Sequence, residues 1–551
     1  SAACSGVDKR PALRRTGSSA PGPDGIPHGA WRTSPPPCRE PLYNIIDDLL
    51  HNDITHSLPT DFNESNMVFI PKGDDPNDDD IVARAACDLR PLNLSNTDNK
   101  IVSLALNGRL AALCQATVAE QQRGFVAGRH IEDNLFQLEA SAIALSATNH
   151  RRAAAIFYDF TTAFPALAHA WIFRVLATMG VPAGILNTIH KLYSHCLALL
   201  MFGGALVGSL PICSGIKQGC PMSGSIFALA IDPLIRKILA DSVLHSIRVT
   251  AFADDIAIVV ENLFLQLPGI MDIFALWGMA TALMLNPAKT AILPLWPCDD
   301  ANIAMIRRWL RHSVKALSGC IVNNYAKYLG ILLGPGAAPL QWDPVASKVL
   351  VRAAHACFTG SGIMAKVRHF RLHGTTTVMY KAQFAPLNAD MKMAYRKAEQ
   401  RLTGSPWMAL PPDLLHALTA LGLPAELPNI DMLATAAQLR IVASSTTFWP
   451  SLGEVSRAIE SDEVLLHPPL TEWYDRSMLF LLRDTWMQHN SVPAIRLILK
   501  TKPRQLHQRL CYKHLASESG PLLAQRMLKR RFLANGFTES EVQAALDTLC
   551  S

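Results

Sequence analysis

Charge is scarce in this 551-residue chain: only 17% of it is Asp, Glu, Lys or Arg, against 49% apolar residues. That balance excludes a wholly disordered polypeptide and allows a substantial core. No Cys-x-x-Cys pair occurs among the 12 cysteines. Cys511 and His514 alone have ligand-like spacing, with no second pair nearby, so no zinc site is expected. The scattered thiols read as reduced and partly buried, as in an intracellular protein. Apolar runs of the about 18–20 residues that span a bilayer are missing. The longest, Leu197 to Gly208, is short and carries three glycines, so no membrane is expected among the partners. No secretory signal or internal repeat is visible. The chain opens on Ser rather than Met, as a fragment or processed product would.

The net charge is +6, compatible with a nucleic-acid partner but weak support for one. From Phe480 to Ser551, eleven Lys and Arg face five Asp and Glu, so this tail alone carries +6. Residues 1–40, rich in Pro, Gly, Ser and Arg, read as a flexible N-terminal segment. A helix is expected around Leu42–His51 and a strand at Met67–Ile70; the acidic run from Asp74 to Asp80 reads as a solvated turn. Ile101–Ala119, Trp171–Met179, Ile226–Leu239 and about Ile270–Leu285 show helical spacing. Ala153–Tyr158 reads as a strand and Leu197–Ile212 as a hairpin. Beyond about residue 335 the pattern is mostly helical, with proline-marked breaks at 407–428, 449 and 468–469. Strands alternating with helices, then mainly helices, predict an α+β body followed by helical domains.

Phe252-Ala253-Asp254-Asp255 lies between Val249-Thr250-Ala251 and the run Ile256 to Val260. β-Branched and apolar residues on both sides predict a hairpin with both aspartates at its tip. Uncompensated charge buried there is costly. A divalent metal resolves the cost, because Mg²⁺ prefers hard carboxylate oxygens and keeps positions for substrate phosphates. An Asp-Asp turn at a solvated tip is the plain alternative. Asp159 directly follows the strand-like run 153–158. If the two strands are neighbours in one sheet, three carboxylates converge, the number and type that hold two Mg²⁺ ions for displacement at a phosphate. Carboxylates alone do not separate a polymerase from a nuclease.

The segments between them do. Ser214-Gly215-Ile216-Lys217-Gln218-Gly219-Cys220-Pro221-Met222-Ser223 leads straight into the helix expected at Ile226. It resembles the Gln-Gly-x-Pro-x-Ser motif of reverse transcriptases. Phe252 to Asp255 resembles their catalytic hairpin, and Asp159-Phe160-Thr161-Thr162-Ala163-Phe164 their first catalytic motif. Phe69-Ile70-Pro71-Lys72 and Arg90-Pro91-Leu92 resemble the fingers motifs, preceded by Pro21 to Gly25. Gly124 to Arg129 with Asp133-Asn134 is similar to the upstream block of non-LTR (LINE-like) retrotransposon enzymes. Leu285-Asn286 with Lys289-Thr290, and Tyr328-Leu329-Gly330, resemble the motif after the catalytic hairpin and the primer-grip turn. The resemblance covers roughly residues 20–335. Singly these motifs are weak to moderate signals; in this order they are highly specific.

The resemblance implies a right-hand polymerase: fingers and palm over 41–335 with a palm core at about 150–335, a helical thumb over 336–400, and a helical basic region over 401–551. It implies RNA-templated DNA synthesis from dNTPs at a primer 3′-hydroxyl, with two Mg²⁺ ions or Mn²⁺ in their place. Asp159 and Asp254 would hold both metals, Asp255 would support them, and the Phe160 carbonyl would add an oxygen. Phe164 would lie under the deoxyribose and exclude a 2′-hydroxyl. Lys72 and Arg90 would contact the triphosphate. Gln218 and Gly219 would lie against nucleotide and template, and Lys289 would protonate the leaving pyrophosphate. Tyr328, Leu329 and Gly330 would position the primer. The partners implied are an RNA template, a DNA primer or target and dNTPs, with nuclear action at the target site.

Two departures stand out: Pro165 where the first motif usually has Asp, and Gly224 where Pro is common. Neither removes a metal ligand, but both suit a rival reading, a decayed nucleic-acid-binding scaffold without catalysis. A cellular relative such as a telomerase-like enzyme or an intron maturase is a second rival, disfavoured by the block at Gly124–Arg129. The C-terminal third offers Arg352, Lys366, Arg368, Arg371 and Lys381 toward phosphates, and basic clusters at Lys500–Arg504 and Lys529–Arg531. It shows no endonuclease carboxylate cluster and no Cys/His knuckle, so target nicking is not expected of this chain.

Overall fold

The computed structural model describes residues 19–51, 58–59, 61–73, 84–148, 152–241, 244, 246–358, 362–404, 415–416, 418–419, 423–460, 473–502, 504–516 and 538–540. The acidic run 74–80, the prolines at 468–469 and the cluster 529–531 lie outside these residues. The strands described are β1 (Glu64–Pro71), β2 (Leu89–Ser95), β3 (Ala154–Tyr158), β4 (Leu197–Phe202), β5 (Ala205–Pro211), β6 (Arg248–Phe252), β7 (Asp255–Val260), β8 (Ala291–Pro294), β9 (Ile321–Val322), β10 (Ala326–Tyr328) and β11 (Ile331–Leu333). They form sheets of order β2-β1-β4-β5, β6-β7-β3-β8-β9 and β10-β11. With helices before, between and after them, the α+β class expected from the sequence is the observed one.

The chain divides into two compact units: residues 1–134, 156–291 and 304–321, and residues 135–155, 292–303 and 322–551. In the first unit, β1 pairs antiparallel with β2 and parallel with β4. β6 and β7 pair antiparallel with Phe252 opposite Asp255, which leaves Ala253-Asp254 as a two-residue turn. β3 is buried at every position, so its run Ala-Ala-Ile-Phe-Tyr needs no polar face. Helix Ser223–Ala240 is buried on nearly all sides and packs against helices Thr97–Thr117 and Leu263–Thr281.

Two expectations need correction. Residues 28–33 and 36–51 are helical, so the loop reading of 1–40 fails in its later part. Prolines misled it: Pro36 and Pro37 lie in the first turn of their helix, where a missing N–H costs nothing, and only Pro41 lies beyond that turn. Helix Leu263–Thr281 is long and apolar enough to cross a membrane by length and composition. The helix read from about Ile270 starts earlier, at Leu263, and its full apolar length was missed because Gln266, Pro268 and Asp272 interrupt the run. Its inner face, including Leu263, Leu267, Ile270 and Phe274, is buried. Asn262 caps its start and Ala282, at φ +64°, ends it.

The second unit is largely helical. Helix Asp343–Phe358 packs on Ala389–Thr403 around Trp342, Val349, Phe370, Tyr395 and Leu402. Helix Ile430–Ser444, capped by Asn429, packs on Met478–Asn490, capped by Ser477. Glu139, fully buried, accepts hydrogen bonds from the Met478 and Leu479 N–H groups at 3.1 and 3.0 Å. Cys511 lies in an apolar cluster with Ala436, Leu439 and Ile495, and burial pushes its thiol up to about 11.

Candidate active site

All the residues gathered at this site belong to the first unit. Asp159 leaves the end of β3, where the next strand-like segment pins it: its carbonyl accepts from the Asn286 N–H at 2.7 Å, and the Thr161 N–H donates to Met284 at 2.9 Å. Phe160 therefore faces Leu285 as a non-hydrogen-bonded pair, with its own carbonyl turned away from that segment. Its ring is buried beside Phe274. Asp254 sits in the turn between β6 and β7, close enough to Asp159 for the two charges to act on each other. Burial raises the Asp254 carboxyl above its ordinary value and Asp159 raises it further, while Arg90 pulls it down. Burial likewise raises Asp159, opposed by Lys289 and Lys72.

Asp159, Asp254, Lys72, Arg90 and Lys289 thus form one electrostatic neighbourhood, although they come from five separate segments. Lys72 and Arg90 share an end of the β1–β2 ladder: Arg90 stands opposite Ile70, and the Lys72 N–H donates to Asp88 at 2.7 Å. The convergence of three carboxylates is not seen in full. Asp255 opens β7 with an exposed side chain, and no group of three metal-binding side chains is gathered among the described residues. Asp254 is in the turn, whereas Asp255 is the first ladder residue of β7, paired with Phe252. A divalent cation nevertheless fits the pair. Asp159 Oδ2 is buried without a hydrogen-bond partner, and two carboxyls held up chiefly by burial, Asp254 also by the charge of Asp159, gain from a cation between them.

The loop before helix Ser223–Ala240 is bound to β2, since the Asn93 N–H donates to the Gln218 carbonyl at 2.8 Å. Gly219, at φ +111°, has no room for a side chain: a Cβ would stand 2.6 Å from the Asn93 carbonyl oxygen. Beside Gln218 lies a cavity of about 420 Å³ lined by Met67, Phe69, Asn93, Leu210 and Ile216. Phe164 is half-buried, stacked on Phe227 at 4.4 Å and met edge-on by Phe125 at 5.9 Å.

Both departures have local explanations. Pro165 falls in the first turn of the short helix Ala163–Ala166, where its missing N–H breaks no helical bond. Its carbonyl lies where a Cβ on Gly215 would stand, at 2.3 Å. Gly224 makes room for the Phe125 ring, which a Cβ would meet at 2.5 Å.

Tyr328, Leu329 and Gly330 belong to the second unit. Leu329 and Gly330, at φ +47° and +81°, form the two-residue turn between β10 and β11. Tyr328 is buried, and Tyr380 Oη donates to the Leu329 carbonyl at 2.6 Å. The sequence reading missed Gln122, Phe125 and Arg129 as site-building residues. No local pattern marks Gln122, whose partner Ala253 lies 131 positions away.

Residues 70–333 match the family described as reverse transcriptase (RNA-dependent DNA polymerase). A "Transposon TX1 uncharacterized 149 kDa protein" of Xenopus laevis is 27% identical over 209 residues, 37% of this chain and 16% of that protein. The Pol polyprotein of the type-2 retrotransposable element R2DM of Drosophila melanogaster is 28% identical over 44% of this chain and 22% of its own length. That of the R2 element of Bradysia coprophila is 24% identical over 61% of this chain and 38% of its own. This chain therefore spans well under half the length of these curated relatives. Among solved structures, a Candida albicans telomerase complex aligns over 78% of this chain and 71% of its own, at 8% identity and a TM-score of 0.36.

Proposed function

We propose, for a chain whose residues 70–333 are a reverse transcriptase domain of the non-LTR retrotransposon type, that the site extends a primer 3′-hydroxyl with dNTPs on an RNA template. The observation that carries this reading is the meeting of Asp159 and Asp254 with Lys72, Arg90 and Lys289. Two carboxylates suit a metal, and three cations beside them suit a triphosphate. Reverse transcriptases generally use divalent metal ions; here two Mg²⁺ ions, or Mn²⁺, would be held by Asp159, Asp254 and the Phe160 carbonyl, with Asp255 supporting from the hairpin. Bound there, the metal would lower the pKa of the attacking hydroxyl and offset charge at the phosphate.

The chain's own residues supply the rest. Lys72 and Arg90 would grip the triphosphate from the end of the β1–β2 ladder. Phe164, braced on Phe227, would present its ring to the sugar and exclude a 2′-hydroxyl. Gln218 and Gly219, tied to β2, would face the nascent pair. Lys289 would give a proton to the leaving pyrophosphate. Tyr328, Leu329 and Gly330 would place the primer through the β10–β11 turn. The natural substrates would be element RNA and a nicked chromosomal strand, which puts the action in the nucleus.

The test is primer extension on poly(rA)/oligo(dT) with Mg²⁺, comparing wild type with Asp254→Ala/Asp255→Ala. Extension by wild type that disappears in the variant is the expected result. Wild-type protein that binds the duplex and adds nothing would move the non-catalytic scaffold reading ahead. Duplex binding should weaken steeply with salt, as phosphate contacts require.

A further inference from the structure

Gln122 has no part in the scheme above, yet it is wholly buried in the first unit beside the turn that carries Asp254. Its carboxamide serves both polar ends. Oε1 accepts from the N–H groups of Gly124 and Ala253, each at 2.8 Å, and Nε2 donates to the Ala253 carbonyl at 3.0 Å. Ala253 is the hairpin residue at φ +57°, a left-handed conformation that a residue with a Cβ adopts reluctantly. One side chain, 131 positions earlier in the sequence, thus satisfies both main-chain polar groups of the strained residue next to Asp254.

The surrounding segment is built to hold that side chain still. It runs alongside β6, with the Ala251 N–H donating to Gln121 and the Arg123 N–H to Ala251, each at 2.9 Å. Gly124 backs directly onto the turn: a Cβ there would stand 2.1 Å from the Ala253 nitrogen. The Arg129 guanidinium donates to the carbonyls of Val118, Ala119 and Gln122 at 2.8, 2.5 and 2.6 Å. The block that includes Gly124 and Arg129 therefore grips the hairpin from behind.

We infer that Gln122 is a positioning residue: it locks Ala253 in its left-handed conformation and so aims the Asp254 carboxylate at Asp159. The inference rests on the reading of Asp254 as a metal ligand. A side chain that only filled core space would be replaceable by an apolar one of similar volume, whereas a clamp would not be.

The test uses the full chain and three variants, Gln122→Met, Gln122→Glu and Asp254→Ala. Amide hydrogen exchange, run without metal, reads the turn directly. Gln122→Met should lose protection at residues 252–256 while the amides of helix Ser223–Ala240 keep theirs. Mn²⁺ affinity, followed by electron paramagnetic resonance, should fall roughly 10–100-fold in Gln122→Met. The turnover rate should fall with it, while template–primer affinity stays unchanged. Measured against wild type at the same pH, Gln122→Glu should recover much of both, because a carboxyl buried this deeply stays neutral and offers the same acceptor and donor. Unchanged hairpin exchange and unchanged Mn²⁺ affinity in Gln122→Met would overturn the inference, even if the variant melts lower. Equal Mn²⁺ binding by wild type and Asp254→Ala would instead remove the metal reading beneath it, while the exchange data still decide whether Gln122 sets the turn.

Discussion

At the scale of single residues, the site is built against its own stability. Asp159 and Asp254 both sit above ordinary carboxylate values, chiefly through burial. The fold therefore favours their neutral forms. Their contribution to stability is complete below the ordinary carboxylate pKa of about 3.9 and is lost as pH rises through the raised values. With metal chelated at neutral pH, Asp159→Asn/Asp254→Asn should melt above wild type, and the gap should close in acid. Thermal melts in EDTA across pH test this; a lower melting temperature at neutral pH would contradict it. Activity should vanish in the same variant. Mg²⁺ should conversely stabilise wild type more strongly as pH rises, because metal and proton compete for the same oxygens. Gly224 and Phe125 offer a second test at this scale. Gly224→Ala should cost about 1–3 kcal/mol in the wild-type background and much less beside Phe125→Ala, since the ring is what the new Cβ would strike. Equal costs in both backgrounds, measured by denaturant unfolding, would rule out that contact.

Among the elements, the hairpin β6–β7 shows how far local pattern reaches. Its strands were legible from β-branched and apolar residues on either side of Asp254-Asp255. Which aspartate stands with Asp159 came only from the resemblance, not from this local pattern, because the turn position depends on the pairing of Phe252 with Asp255. The helix at Leu263–Thr281 shows the opposite error: it was read only from about Ile270, its first turns hidden by a few polar residues. β5 carries a testable liability. It is the outer strand of its sheet, and Leu206, Val207 and Leu210 are all exposed on it. An apolar edge strand templates pairing with other chains. Val207→Lys should therefore reduce aggregation on heating, followed by light scattering, without lowering the melting temperature. A drop in the melting temperature would mean that the side chain packs against something.

For the molecule as a whole, the second unit is held together across a long stretch of chain. Glu139 and the N-terminus of helix Met478–Asn490 are 339 positions apart, joined by two hydrogen bonds to one buried carboxyl. Burial pushes that carboxyl up to about 7, against the pull of the two N–H donors. A carboxyl raised in the folded state stabilises fully below its unfolded value and loses that contribution as pH rises through about 7. Between about pH 5 and 8, wild type should lose up to roughly 3 kcal/mol relative to Glu139→Gln, which cannot ionise. Parallel stability curves for the two proteins across that range would show that the carboxyl does not govern this contact.

Local chemistry in the sequence determined the elements and the motifs: the strand before Asp159, the hairpin around Asp254, the glycines near Gln218 and the helical character beyond residue 335. These follow from periodicity, turn residues and short-range sterics, which act between near neighbours. Only the tertiary structure decided that Asp255 is exposed, that Gly224 admits Phe125, and that Gln122 holds Ala253. Each depends on an atom more than ninety positions away or on the register of a strand pair, and neither leaves a trace in local pattern. Whether a carboxylate meets a cation or a second carboxylate is a property of packing, because burial and distance set its charge and sequence order does not.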